Sequence, residues 1–221
     1  MTFRGSYGVY HSVYDSFSWM EQQGDPTFEI HQAMTRIWAL MAFRLASSDI
    51  LPIYITPQSV QLTRDVEALS RRIEKEVGGD VVDLLELQEA SNLFYEAAID
   101  IDEERDLYEN SIGEVNQLKR ADLNRRLFMA ERQFLGPGLP KRPWFRHVLQ
   151  SPGYYLGYGS QAFPGITQAL DDGDYKLAQS EINIAAKAVL NAASFLIGGE
   201  GSIPLLADDA KDVDESATKA Q

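Results

Sequence analysis

The chain has 221 residues, of which 44% are hydrophobic and 24% charged, and a formal net charge of −13. This length and composition support a buried core, as one large domain or two small ones, and exclude disorder of the whole chain. The acidic field repels phosphate backbones and anionic lipid, which excludes nucleic acid and polybasic membrane docking as partners.

Residues 1–24 have no helical period and read as a lead-in. Asp25-Pro26 has the pattern of an N-cap followed by proline in the first turn. Behind it Ile30, Met34, Ile37, Met41 and Leu45 recur at three- and four-residue spacing, one face of a helix that Ser47, Ser48, Asp49 and Pro52 close. Thr56-Pro57 repeats the start signal. Leu62, Val66, Leu69, Ile73 and Val77 form the next stripe, ended at Gly78-Gly79. Asp80 is the expected cap of a third helix through Leu84, Leu87, Ala90, Phe94 and Ala97, whose acidic far end, Asp100 to Glu104 with the run Asp102-Glu103-Glu104, is expected to be solvated.

Ser111 and Glu114 have capping-box spacing ahead of a fourth helix through Leu118, Leu123, Leu127, Ala130 and Phe134. The stretch Gly136–Gly173 is rich in proline, glycine and aromatics and lacks a helical period. It is expected to be an excursion packed across the bundle and pinned by Trp144, Phe145, Tyr154, Tyr155 and Phe163. The last helix carries a heptad seam, Ala178, Ile182, Ala185, Val189, Ala192 and Leu196, stopped by Gly198-Gly199. The polar segment 208–221 is expected to be disordered. The fold class predicted is all-α, an up-and-down helical bundle of four-helix-bundle type with a long Pro/Gly/aromatic loop before the last helix. No strands are expected.

Chemistry is sparse. The absence of cysteine removes disulfides, thiol nucleophiles and thiolate metal sites. No P-loop, HExxH, GxSxG or properly placed GxGxxG occurs. The three histidines, His11, His31 and His147, stand in unrelated contexts, so no metal site is read from them, and His147 is expected to make a structural hydrogen bond. No signal-peptide pattern and no apolar stretch approaching about 18 residues is present, so no membrane span is expected and the compartment is cytoplasmic by default.

Several strings in order carry a resemblance. Tyr10-His11-Ser12-Val13-Tyr14-Asp15, then Gly24-Asp25-Pro26, resembles the end of the peptidase domain in glutamate carboxypeptidase II and its fungal vacuolar-sorting relatives. Glu131-Arg132-Gln133-Phe134, Gly138-Leu139-Pro140, Arg142-Pro143, Phe145-Arg146-His147-Val148 and Phe163-Pro164-Gly165-Ile166 resemble the helical C-terminal domain of the same family, the transferrin-receptor-like dimerisation domain. The resemblance runs to about residue 197. It implies three segments: 1–24, a remnant of the end of a peptidase domain; 25–200, the dimerisation domain; and 201–221, an acidic tail.

By resemblance, His11 corresponds to one ligand of a two-zinc centre, and Tyr10 to a residue lining the substrate pocket. Tyr158 corresponds to the tyrosine of an Asn-Lys-Tyr string that grips the substrate carboxylate. Gly157 stands where that string has lysine, so glutamate selectivity is not implied. The remaining zinc ligands and the general base belong to an upstream peptidase domain. The resemblance therefore implies a non-catalytic homodimerisation module without cofactor, whose partner is a second copy of itself. Trp38 and Phe195 are then expected at the dimer interface. The alternative is the C-terminal part of a zinc-dependent carboxypeptidase-like enzyme, inactive without its peptidase domain. Beside the cytoplasmic default, the resemblance admits a vacuolar or endomembrane compartment.

Overall fold

The computed structural model describes residues 8–78, 81–111, 116–153 and 159–198. The expectations for Asp80, Glu114, Tyr154, Tyr155, Tyr158, Gly199 and the acidic tail lie outside these residues. The chain divides into two compact units, residues 1–48 and 49–221.

In the first unit a single turn of helix, α1 (Phe17–Trp19), runs into a wider π turn at Met20–Gly24, so the lead-in is partly helical. Ser16 starts it by accepting from the Trp19 amide. Gly24 is required there, because a methyl group would collide with Met20 Sδ and the Trp19 ring. The helix expected after Asp25-Pro26 begins later, as α2 (Glu29–Ser47), and Phe28 enters it in the left-handed region. Asp25 still caps it, at long range. Its buried carboxylate accepts from the His31 amide at 3.0 Å and pairs with His31 Nδ1 at 2.7 Å.

The second unit is the bundle: α3 (Thr56–Glu76), α4 (Leu85–Glu109), α5 (Gln117–Met129), α6 (Pro164–Asp171) and α7 (Tyr175–Leu196). The stripes read from sequence form its core, with Leu62, Val66, Leu69 and Ile73 of α3, Leu87, Phe94 and Ile101 of α4, and all six seam residues of α7 buried. Helices α4 and α7 pack most extensively. Helix α3 covers α4, and α6 covers α7. Alanines 90 and 97 of α4 and 178, 185 and 192 of α7 are small enough to let helix backbones approach closely. Leu118, expected inside, is exposed in the first turn of α5.

Three findings correct the sequence reading. Helix α5 is capped by Asn116, whose side chain accepts from the Leu118 amide, while Ser111 bonds back to the Tyr108 carbonyl. The stretch 136–173 is not without regular structure. It holds a short antiparallel pair, β1 (Gln150–Pro152) with β2 (Ser160–Ala162), and the whole of α6. Asp102 is buried rather than solvated. Its two carboxylate oxygens accept from the Ile55 and Thr56 amides at 2.9 Å each, capping α3 from the far end of α4. That arrangement answers the orphaned amides of a helix start and its positive dipole end together.

Candidate functional site

The residues expected to carry chemistry are not gathered into one place. Tyr10 and His11 lie in the first unit, exposed, with rings stacked at 3.9 Å and His11 in the left-handed region. A catalytic zinc needs about three protein ligands. Among the described residues no group of three or more His, Asp or Glu side chains could hold a metal ion. The donor set around His11 therefore does not fit a zinc site.

Trp38 is 55% exposed on α2. Phe195, expected at an interface, is instead only 3% exposed and has the Arg125 guanidinium over its ring at 4.9 Å. The cause is the width of the buried face of α7, which is covered by several neighbours and so extends beyond the heptad seam to Ala186, Ala193 and Phe195.

The excursion is pinned by polar contacts as well as by rings. Phe163 is buried, but Trp144, expected as a pin, is 64% exposed and lies beside the Arg142 guanidinium. His147 accepts from the Gln150 amide at Nδ1, which leaves Nε2 as the donor to Glu131 Oε1 at 2.9 Å. Gln58 of α3 donates to the other oxygen of Glu131 at 2.6 Å. The His147 hydrogen bond, with help from Gln58, holds the Glu131 carboxyl below the usual carboxylate range. This is the structural hydrogen bond expected of His147. Glu181 of α7 shows the reverse behaviour. Burial alone pushes its carboxyl up, against the first turn of α6.

Two buried arginines were not foreseen. Arg105 donates to the Leu51 carbonyl, the Tyr54 hydroxyl, Asp106 and Glu109. Arg126 donates to Asp122 at 2.8 Å, to Glu104 at 2.7 Å and to the last helical carbonyl of α7, Leu196, at 2.7 Å. Acidic residues four positions away (Asp122 before Arg126, Glu109 after Arg105) were the only available signal in the sequence. That spacing normally marks an exposed pair. These charges tie helix ends together, and Glu104, Asp122 and Arg126 also line a surface cavity of about 370 Å³ with Asp100, Ile101, Leu196, Ile197 and Gly198. No described helix is long and apolar enough to cross a membrane.

The described residues of the second unit thus form a packed helical bundle whose buried arginines join helix ends. The family profile described as transferrin receptor-like dimerisation domain matches residues 82–197, which span α4 through α7. The chain belongs to this family.

Curated relatives extend the match into the first unit. The chain is 35% identical over 206 residues to a probable glutamate carboxypeptidase of Arabidopsis thaliana, covering 90% of this chain and 29% of that protein. It is 27% identical to an inactive zinc metalloprotease of Schizosaccharomyces pombe, covering 80% and 23%. It is 29% identical to an aminopeptidase of Rattus norvegicus, covering 82% and 23%. The chain thus spans under a third of the length of these relatives, which are named for different activities.

Proposed function

We propose that this chain acts as a non-catalytic homodimerisation module. The observation that carries this reading is the family match over residues 82–197, which coincides with the packed α4–α7 region. A two-fold pair of identical surfaces is the commonest way for such a module to associate. Trp38 is available to a partner, whereas Phe195 belongs to the core. The test is molar mass by light scattering on a sizing column across concentrations. A stable mass of twice 24.8 kDa is expected. A monomer at every concentration refutes the reading.

A second reading is favoured by the short share of each relative that the chain covers. Under it, these residues are the C-terminal part of a zinc-dependent carboxypeptidase-like protein, and a peptidase domain is their natural partner. His11 would then be one zinc ligand, with Tyr10 and Tyr158 lining the substrate pocket. Both readings expect the isolated chain to release no amino acid from a dipeptide, with or without added zinc. Zinc-dependent release by the pure chain would sink both.

A further inference from the structure

The imidazole of His147 joins the excursion to the bundle, and its own position is fixed on every side. The Gly136 amide donates to the Arg146 carbonyl at 2.7 Å, and the Val148 amide donates to the Phe134 carbonyl at 2.9 Å, so the main chain on both sides of His147 is held. The ring is held by Glu131 at Nε2 and by the Phe134 ring, with centroids 5.8 Å apart. Its remaining nitrogen, Nδ1, accepts from the Gln150 amide at 3.3 Å.

That amide has no place in the strand ladder. In an antiparallel pair, residues that exchange hydrogen bonds with the opposite strand alternate with residues that do not. The Phe163 amide donates to the Leu149 carbonyl at 2.9 Å, so the next residue, Gln150, turns its amide away from β2 although it stands opposite Ala162. The pair has three residues on each strand, and a hairpin this short has little stability of its own. Its first residue is thus anchored from outside the ladder, by His147.

Nδ1 accepts from Gln150 only while it carries no proton. A proton there sets two N–H groups against each other, and one of them must move. On the other side of the ring, the bond to Glu131 becomes a contact between opposite charges, and charge-assisted bonds are roughly twice as strong as neutral ones. The ring therefore stays on Glu131, and Gln150 gives way. The charged groups around the ring are Glu131 from the turn after α5, Arg146 next to it in sequence, and Glu181 of α7, which lines a small cavity together with Arg146 and His147. Glu131 and an ionised Glu181 favour a proton on the ring, and Arg146 opposes it. The α3 contribution, Gln58, is neutral and reaches only Glu131. The His147 side chain is 19% exposed, so protons from solvent can reach it.

From this geometry we propose that His147 is an acid-operated release for the β1–β2 hairpin: the neutral ring fastens Gln150, and the protonated ring keeps Glu131 and lets Gln150 go. The device uses contacts inside the second unit alone and is independent of both functional readings above.

The test is NMR of the intact ¹⁵N-labelled chain from about pH 8 to about pH 5, the range in which imidazole side chains change charge. The ring-nitrogen shifts should show Nδ1 bare at the upper end and protonated at the lower. Over the same titration, solvent exchange of the Gln150 and Phe163 amides, each relative to its rate in an unstructured peptide, should rise by about tenfold, the worth of one hydrogen bond. The Val148 amide, bonded outside the hairpin, should not change. His147→Asn, uncharged throughout, should abolish the dependence. Should that variant fail to fold, the wild-type titration of Nδ1 and the change at Gln150 must share one midpoint, and separate midpoints overturn the proposal. It is also overturned by a proton on Nδ1 at the upper end, by constant exchange at Gln150, or by a rise at Gln150 that leaves Phe163 unchanged.

Discussion

Replacing Asp102 is the sharpest test of how the bundle is held. Its carboxylate receives two amide hydrogen bonds at 2.9 Å, from Ile55 in the core and from half-buried Thr56. Removing it in Asp102→Ala strands both donors at the positive end of α3. Hydrogen bonds to charged groups contribute about 1.5–3 kcal/mol each. Losing a helix N-cap costs about 1 kcal/mol, and water can reach the Thr56 amide in part. The expected destabilisation is therefore about 2–4 kcal/mol. Asp102→Asn keeps one acceptor oxygen and should cost about half as much. With a urea m-value of about 2 kcal/mol/M, the alanine variant should lower the unfolding midpoint by about 1–2 M at unchanged m. A loss under about 0.5 kcal/mol, the range of an ordinary surface substitution, would refute the view that Asp102 caps α3.

Arg126→Met removes the cation joining Glu104, Asp122 and the α7 terminus, and should cost about 2–3 kcal/mol by the same urea measurement, since both carboxylates it leaves can reach water. Glu131 and Glu181 should give opposite pH dependences. The folded-state pKa of Glu131 is depressed, so its stabilisation is present above the unfolded carboxylate pKa and is lost as pH falls through the folded value. Glu131→Gln should thus lower Tm at pH 7 and have little effect near pH 3. The folded-state pKa of Glu181 is raised, so its favourable contribution is complete below the unfolded pKa and is lost as pH rises through the folded value. Glu181→Gln should raise Tm at pH 7, with the gain vanishing near pH 4; a gain that persists there counts against burial as the cause. In Gly165→Ala the new methyl meets the flexible end of Glu181, which can swing aside, and a loss under about 1 kcal/mol is expected. That loss should shrink in a Glu181→Ala background, and equal costs in both backgrounds would show that the two positions do not interact.

The bundle was legible where burial follows helical period. The α7 seam and the α3 stripe work because each long helix in the second unit turns a continuous apolar face inward. Contacts between residues distant in sequence were not legible. Nothing local marks Asp102 as the cap of a helix 47 residues away, so it read as one more carboxylate in an acidic run. Asp25 was recognised as a cap but placed too close to its helix, because its partner amide is His31, beyond an intervening turn and left-handed Phe28. The β1–β2 pair escaped notice because three-residue strands carry too few alternations to register. For the candidate site, His11 and Tyr10 became visible only through family strings, and the structure places them apart from any cluster of potential metal ligands among the described residues.

The ties at the helix ends also set how finely the second unit can be divided. Asp102 reaches Ile55, 47 positions back; Arg126 reaches Leu196, 70 positions on; and Asn124 donates to the Asp49 carbonyl, 75 positions back. The first arc lies inside the third, the second begins two residues beyond them within α5, and together they span every loop between α3 and α7, so a break in any one of these loops leaves charged or amide groups on one piece whose partners are on the other. Residues 49–198 can therefore be moved between proteins as a block but not as halves. Recombination among relatives should preserve this stretch intact while joining it to different companions.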